Sequence, residues 1–146
     1  MNKTDNVYLA LKRKHEKEVN DFPMVFAFDQ EQFKEAMEKL GLTEHDTDKV
    51  YSIGMGGFIR KTDSESLSEM FTKHKQEMKE SIDNDTTGDG FIFEMFDYEL
   101  GNHEYCITWD VEPTLDALGI TIEEVETSDK LLYSLKKARD AQSMDV

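Results

Sequence analysis

The segment KVYSIGMGGFIRK, residues 49–61, constrains the fold more than any other part of the sequence. Two short runs rich in β-branched and aromatic residues flank a glycine-rich centre, a pattern that predicts two strands joined by a tight turn. Glycines after a strand also occur in phosphate-binding loops, but Ile59 stands where a dinucleotide motif needs its third glycine, and no Gly-Lys-Ser/Thr follows. The segment therefore predicts a β-hairpin.

Helical patterns surround this hairpin. The longest predicted helix covers about residues 64–82, after a capping-box spacing of Thr62 and Glu65. Other local signals predict further elements: a first helix near 5–20, a strand in MVFAF, a helix capped by Asp29 and ended before Gly41, a strand in EYCITW, a short helix from Pro113 to Gly119, a capping box at Thr121 and Glu124, and a last helix containing Leu131, Leu132, Leu135 and Ala138.

These elements predict the α+β class, with a small, mainly antiparallel sheet of three to five strands and several packed helices. The sequence contains no internal repeat, low-complexity tract or proline-rich linker. A chain of 146 residues also falls in the usual size range of one domain. We therefore expect a single domain over residues 1–146, in which the N-terminal helix at 5–20 is the element that could be loosely attached.

Charge is the most unusual property of the composition. The chain has 32 acidic and 17 basic residues, a net charge of −15, and residues 21–128 contain 26 of the acidic but only 8 of the basic residues. Nucleic-acid binding depends on neutralising phosphates, so we expect no direct nucleic-acid partner. An acidic surface suits basic proteins or cations, although a high net charge also simply keeps proteins in solution.

The lone cysteine, the charged N-terminal residues and the absence of a long apolar run bear on location. Cys106 has no cysteine with which to form an internal disulfide, which is typical of a reducing compartment. The first residues are too charged for a signal peptide, and no stretch is apolar enough to predict a membrane helix. We therefore expect a cytoplasmic protein without a membrane partner.

Residues 83–94, DNDTTGDGFIFE, resemble a calcium-binding EF-hand loop in two overlapping registers. One register begins at Asp83 and ends at Glu94, but it has threonine at its fifth position. The other begins at Asp85 and has Phe96, which carries no ligand oxygen, at its twelfth. The alternative is a turn that ends the long helix and starts the next element, because these residue types favour turns. We expect no cofactor, with calcium as the alternative; its candidate ligands are Asp83, Asp85, Thr87, Asp89 and Glu94.

The segment NHEYCITWD places His103 close to Cys106 in the sequence. A cysteine beside a histidine can act as a nucleophile, and both are metal ligands. However, one Cys–His pair lacks the second pair that a structural zinc site needs, and a lone cysteine is usually just buried. A small enzyme or metal-dependent protein built on His103, Cys106 and nearby carboxylates is therefore the alternative function.

Four segments, FAFDQEQFKEAMEKLGL, DTDKVYSIGMGGFIRKTD, YELGNHEYCITWD and TLDALGI, resemble a family of small acidic uncharacterised proteins from bacterial conjugative elements and phages. The resemblance covers roughly residues 22–140. It implies a mobile-element accessory protein and supplies no activity. Such elements carry acidic proteins that inhibit host defences, some of them by imitating the charge of DNA.

The first hypothesis for function is therefore a non-enzymatic module that binds a basic surface of a host or element-encoded protein. It includes inhibition of a host defence nuclease by DNA mimicry. Acidic residues three or four positions apart on a helix share one face, as Glu94 and Asp97 do. The predicted acidic face consists of Glu94, Asp97, Glu99, Glu104, Glu123, Glu124 and Glu126.

Overall fold

A computed structural model describes residues 6–144 and confirms the α+β class, with a small antiparallel sheet and several helices. The α-helices in this range are α1 Val7–Asp21, α2 Gln30–Lys39, α3 Ser64–Asn84, α4 Phe91–Asn102, α5 Tyr105–Thr108, α6 Glu112–Leu118, α7 Ile122–Glu126 and α8 Asp129–Met144. Short 3-10 turns at Thr47–Lys49 and Lys61–Asp63 precede β2 and α3. None of the helices within residues 6–144 is long and apolar enough to cross a membrane.

The sheet contains β1 Met24–Phe26, β2 Val50–Gly54 and β3 Gly57–Arg60, in the order β1-β3-β2. Both pairings are antiparallel, and β2 and β3 form the hairpin that the sequence predicts. The turn needs left-handed backbone at three consecutive residues, two of which are glycines: Gly54, Met55 and Gly56. Glycine adopts this conformation without steric cost, which explains why the turn is glycine-rich.

The described residues form two compact units. Residues 15–76 form one, which we call the sheet unit. Its core is the inner face of the sheet packed on α2, where Met37 is fully buried and Phe33 lies with its ring 5.3 Å from that of Phe58. The Asp29 carboxylate accepts a hydrogen bond from the Gln32 backbone at the start of α2, and Gly41 follows its end with positive φ. Both predictions for this helix are therefore confirmed.

Residues 6–14 and 77–144 form the other compact unit, which we call the helical unit. Helix α4 is its centre and makes its most extensive contacts with α8. The capping box of Thr121 and Glu124 is present at the start of α7, as predicted. The fully or nearly fully buried side chains are those of Tyr8, Phe91, Ile92, Met95, Phe96, Leu100, Tyr105, Leu115, Val125, Leu131, Leu135 and Ala138.

The prediction of a strand in EYCITW is wrong, because Tyr105–Thr108 form the four-residue helix α5. Glu104 and Trp109, on either side of it, both have positive φ, which separates this short helix from its neighbours. Tyr105 is 1% exposed in the core of the helical unit, and this burial outweighs the strand preference of the local sequence. The described sheet accordingly has three strands.

Candidate functional site

The sheet has an outer face opposite α2, and it carries large apolar side chains. Directly paired residues of antiparallel strands point to the same face, so the pairs of Ile59 with Met24 and with Tyr51 form one row across the sheet. The pairs of Gly57 with Phe26 and with Gly54 lie in the next row, beside Ile53. Ile59 at the centre is only 2% exposed. The centre of this row is therefore buried, and the exposed apolar side chains lie around it.

Two glycines bring these side chains together. A Cβ atom at Gly57 would lie 2.7 Å from the Phe26 ring and 2.9 Å from Ile53. These two side chains, from strands on opposite sides of β3, thus converge over Gly57. A Cβ atom at Gly56 would lie 2.6 Å from the ring of Phe28, which therefore covers this second glycine. The glycines create room for a continuous apolar surface.

The apolar side chains of this face are exposed. Met55 at the tip of the turn is 90% exposed and Phe28 is 77% exposed. We define the outer sheet face as Phe26, Phe28, Tyr51, Ile53 and Met55, each at least 39% exposed. Single exposed apolar residues are ordinary, but a contiguous group of large ones marks interaction surfaces.

Met55 has backbone strain as well as exposure. Its φ is +55°, a value that non-glycine residues rarely adopt and that costs of order 1 kcal/mol. Glycine or asparagine would satisfy this turn position at lower cost, and turn tips are usually polar. At this position, both the positive φ of Met55 and the exposure of its apolar side chain to water are unfavourable. Neither the backbone conformation nor the solvent exposure of this position accounts for a methionine here.

Glu99, which the sequence places on the acidic face, is in fact buried, with 1% exposure. Its carboxylate accepts a hydrogen bond from the Tyr8 hydroxyl and lies 2.7 Å from the Lys12 ammonium. Burial alone would raise the pKa of Glu99, but the hydrogen bonds from Lys12 and Tyr8 outweigh burial and hold the pKa below its usual value. Glu99 is a structural residue of the helical unit, because α4 turns it toward α1.

Glu94 and Asp97 are half-buried and bonded within the helical unit. The Glu94 carboxylate accepts a hydrogen bond from the Val7 backbone at the start of α1. Burial raises the pKa of Glu94, and the negative charge of Asp85 raises it further. The Asp97 carboxylate accepts a hydrogen bond of 2.9 Å from the Gln142 side chain. Neither carboxylate is a freely exposed group for a partner.

The other predicted acidic residues, Glu104, Glu123, Glu124 and Glu126, are exposed. The last three lie on α7, within residues 110–129, which we call the acidic segment. This segment contains seven acidic residues, all exposed, and no lysine, arginine or histidine. The exposed acidic residues of this region therefore lie on α6, on α7 and in the residues that flank them.

The loop between α3 and α4 is organised by Asp85. Its two carboxylate oxygens accept hydrogen bonds from the backbone N–H groups of Thr87, Gly88, Gly90 and Ile92, at 2.9 to 3.2 Å. Burial would raise the pKa of Asp85, but these four donors hold it below the usual value. The carboxylate thus ends one helix and begins the next, which is the turn alternative that the sequence left open.

The remaining oxygen groups of this loop also have protein partners. Asp89 accepts hydrogen bonds of 2.7 Å from the Lys137 ammonium and from the Tyr133 hydroxyl, which lower the pKa of Asp89. Asp83 is paired with Lys79 at 3.1 Å, and the Thr87 hydroxyl accepts from the Asp89 backbone. No group of three or more histidine, cysteine or carboxylate side chains within residues 6–144 is arranged to hold a metal ion.

His103 and Cys106 lie in separate turns of the helical unit. His103 ends α4, with its Nε2 atom 3.7 Å from the Glu99 carboxylate. Cys106 is partly buried within α5 rather than on a strand. The described structure gives no hydrogen bond between them, and His103 faces a carboxylate already bound to Lys12 and Tyr8. The histidine is positioned next to the buried ion pair.

The outer sheet face was not identified from the sequence, although three signals were present. Met55 stands between two glycines at a predicted turn, where a polar residue is usual. Phe28 precedes the N-cap Asp29, a position whose apolar side chain often packs back onto the helix. β2 carries three apolar residues, with Tyr51 and Ile53 on the outer face and Val50 on the inner face. Exposure of these residues emerged only from the three-dimensional arrangement.

Residues 7–141 match a family of unknown function, DUF7659, and the chain belongs to this family. No curated protein and no solved structure matches the chain.

Proposed function

We propose that this protein is a non-enzymatic module that binds another protein through the outer sheet face. The observation that carries the proposal is the group of five exposed apolar side chains on the outer sheet face, Phe26, Phe28, Tyr51, Ile53 and Met55, of which Phe26 and Ile53 converge over Gly57. Aromatic residues and methionine are enriched at protein interfaces. Burying an exposed phenylalanine such as Phe28 against a partner contributes about 1–2 kcal/mol.

The partner is a protein with an apolar contact surface and a basic surface around or near it. The net charge of −15 attracts a basic partner over a distance and raises the rate of encounter. Direct contact with nucleic acid is disfavoured by the same charge. The apolar contacts supply affinity and the charge supplies selectivity among partners.

A finer proposal concerns what kind of protein the partner is. The acidic segment presents seven carboxylates without an intervening cation. This pattern of negative charge suits a partner whose surface binds the phosphates of DNA. We therefore include inhibition of a DNA-binding host protein, such as a defence nuclease, within the proposal. The resemblance to accessory proteins of conjugative elements and phages favours the same partner class.

The test is capture from bacterial lysate by three tagged forms of the full chain. The wild type is compared with the double variant Phe28→Ser/Met55→Ser and with Ile107→Ser, which removes another largely exposed apolar side chain, in the helical unit. We expect at least one protein to be recovered by the wild type and by Ile107→Ser but not by the double variant. That protein is then purified, and its direct binding is measured by calorimetry.

Because all three side chains are largely exposed, the variants should fold, which circular dichroism checks. Equal recovery of every captured protein by all three forms would contradict the proposal. A fourth form, Glu123→Gln/Glu126→Gln, tests the finer proposal, since loss of charge in the acidic segment should weaken binding at low salt. An unchanged affinity and salt dependence would remove DNA mimicry while leaving the apolar contact intact.

A further inference from the structure

The helical unit contains a cleft of about 300 Å³ between α8 and the end of α5. Its lining combines an aromatic wall, an apolar floor, two cations and one carboxylate. The wall is Tyr105 and Trp109, and the floor is Leu132 and Leu135. The charged residues are Lys136, Arg139 and Asp140, with Ser143 at the edge.

The aromatic wall is fixed at one side and open at the other. The buried Tyr105 ring lies edge-to-face with the Trp109 ring, with centroids 5.8 Å apart. Trp109 is 62% exposed and has a φ of +58°. Both the exposure of its indole to water and its backbone conformation are energetically unfavourable. Strained residues persist where the surrounding structure holds them, and they concentrate at ligand sites. An open indole face suits stacking of a planar ring.

The cationic side of the cleft is held in place by the same tyrosine. The Arg139 Nε atom donates a hydrogen bond of 2.9 Å to the Tyr105 hydroxyl, and the guanidinium lies 5.7 Å from the Tyr105 ring centre. Across residues 6–144, neither Arg139 nor Lys136 forms an ion pair with a carboxylate. Two neighbouring cations that line one cleft without a carboxylate partner favour binding of an external anion.

We propose that this cleft binds a nucleoside monophosphate. The base stacks on Trp109, and the phosphate accepts hydrogen bonds from Lys136 and from the guanidinium nitrogens of Arg139 that Tyr105 leaves free. The Asp140 carboxylate accepts hydrogen bonds from a ribose hydroxyl or a base amino group, which explains a carboxylate in an otherwise cationic cleft. The volume is at the lower end of the usual range for ligand sites, about 300–1,000 Å³, and so suits one nucleotide.

The cleft contains its own reporter, because Trp109 is the only tryptophan in the chain. The full chain is titrated with AMP, GMP, CMP and UMP while Trp109 fluorescence is recorded, and calorimetry provides an independent measure. We expect a saturable fluorescence change with a Kd below about 1 mM for at least one nucleotide. Inorganic phosphate and the uncharged nucleosides should bind at least about tenfold more weakly, since each supplies only half of the contacts.

Lys136→Gln and Arg139→Gln should each weaken nucleotide binding about tenfold or more. Lys34→Gln is the matched control, because it removes the charge of an exposed lysine on α2 in the sheet unit and should leave the Kd unchanged. Lys136 makes no contact that the fold needs among the described residues, so its variant remains informative if Arg139→Gln destabilises the chain. Circular dichroism verifies folding of each variant.

Three results would overturn the proposal: no saturable change with any of the nucleotides up to about 5 mM, equal binding of inorganic phosphate, or wild-type affinity in both cleft variants. Equal binding of phosphate would reduce the cleft to a simple anion site. The proposal is independent of protein binding by the outer sheet face, because Phe28→Ser/Met55→Ser should bind nucleotide as the wild type does.

Discussion

Helix α4 of the helical unit and the outer face of the sheet unit treat large apolar side chains in opposite ways. Helix α4 buries Phe91, Ile92, Met95, Phe96 and Leu100 almost completely. The sheet unit buries the inner face of its three strands but leaves the outer sheet face open, with Phe28 and Met55 mostly in solvent. The apolar residues of α4 stabilise the fold by their burial. Those of the outer sheet face are not buried, and their presence therefore requires a functional explanation.

The largest expected effect is a contrast between two phenylalanines. Phe96→Ala in the helical unit should lower the free energy of unfolding by about 3–5 kcal/mol, because it leaves a cavity at a fully buried site. Phe28→Ala should change it by less than about 0.5 kcal/mol. Urea denaturation followed by circular dichroism measures both. A loss of more than about 2 kcal/mol in Phe28→Ala would show that this side chain belongs to a core.

The buried ion pair of the helical unit gives the next effect. Glu99→Gln should cost about 1–3 kcal/mol, because it removes the charge that pairs with Lys12, while Lys12 can partly regain water. The pKa of Glu99 is lowered by folding, so its contribution is present above the ordinary glutamate pKa and is lost as the pH falls through the lower, folded value.

Unfolding free energies of the wild type and of Glu99→Gln should therefore differ at pH 7 and converge in acid. Chemical denaturation at a series of pH values measures this difference. Lys17→Gln is the control, since its ion pair with Asp21 is exposed and should contribute little at any pH. A constant difference across the whole pH range would contradict the assignment of the effect to the Glu99 charge.

Asp85→Ala should cost about 1–2 kcal/mol, because four backbone N–H groups lose their acceptor at the junction of α3 and α4. Because folding lowers the pKa of Asp85, its contribution to stability is present above the ordinary aspartate pKa. This contribution is lost as the pH falls through the lower, folded value. Asp83→Ala, which removes a neighbouring exposed carboxylate, is the control.

Melting temperatures measured with and without millimolar calcium also test the EF-hand alternative, which requires stabilisation by calcium in the wild type only.

The smallest effect concerns the strained turn of the sheet unit. Met55→Asn should leave stability unchanged or raise it by up to about 1 kcal/mol, since asparagine tolerates positive φ and prefers solvent. The same change should weaken capture of the partner. A variant that is more stable but binds less well would show directly that Met55 serves binding. Lower stability in Met55→Asn would instead assign Met55 a structural role.

The sequence was most informative where local chemistry decides the structure. The hairpin followed from its glycine-rich centre, both ends of α2 followed from Asp29 and Gly41, and the start of α7 followed from the Thr121–Glu124 capping box. It was misleading at EYCITW, where burial of Tyr105 produced a helix. Burial of this kind is a tertiary effect that no local propensity contains.

The site was harder to predict for the same reason. Glu99 and Glu104 are both acidic residues of one segment, yet only the fold determines that Glu99 faces Lys12 and that Glu104 faces solvent. Likewise, the sequence shows that Phe26 and Ile53 are apolar but not that they converge over Gly57 on an uncovered face. Net charge could be counted in advance, whereas exposure of apolar side chains could not.

Amide hydrogen exchange of the chain, alone and with its purified partner, shows which face the partner covers. We expect slower exchange in residues 24–28 and 50–57, which contain the outer sheet face, and unchanged exchange in the core of α4. Protection confined to the acidic segment, with the hairpin unaffected, would contradict this expectation and assign partner binding to the helical unit.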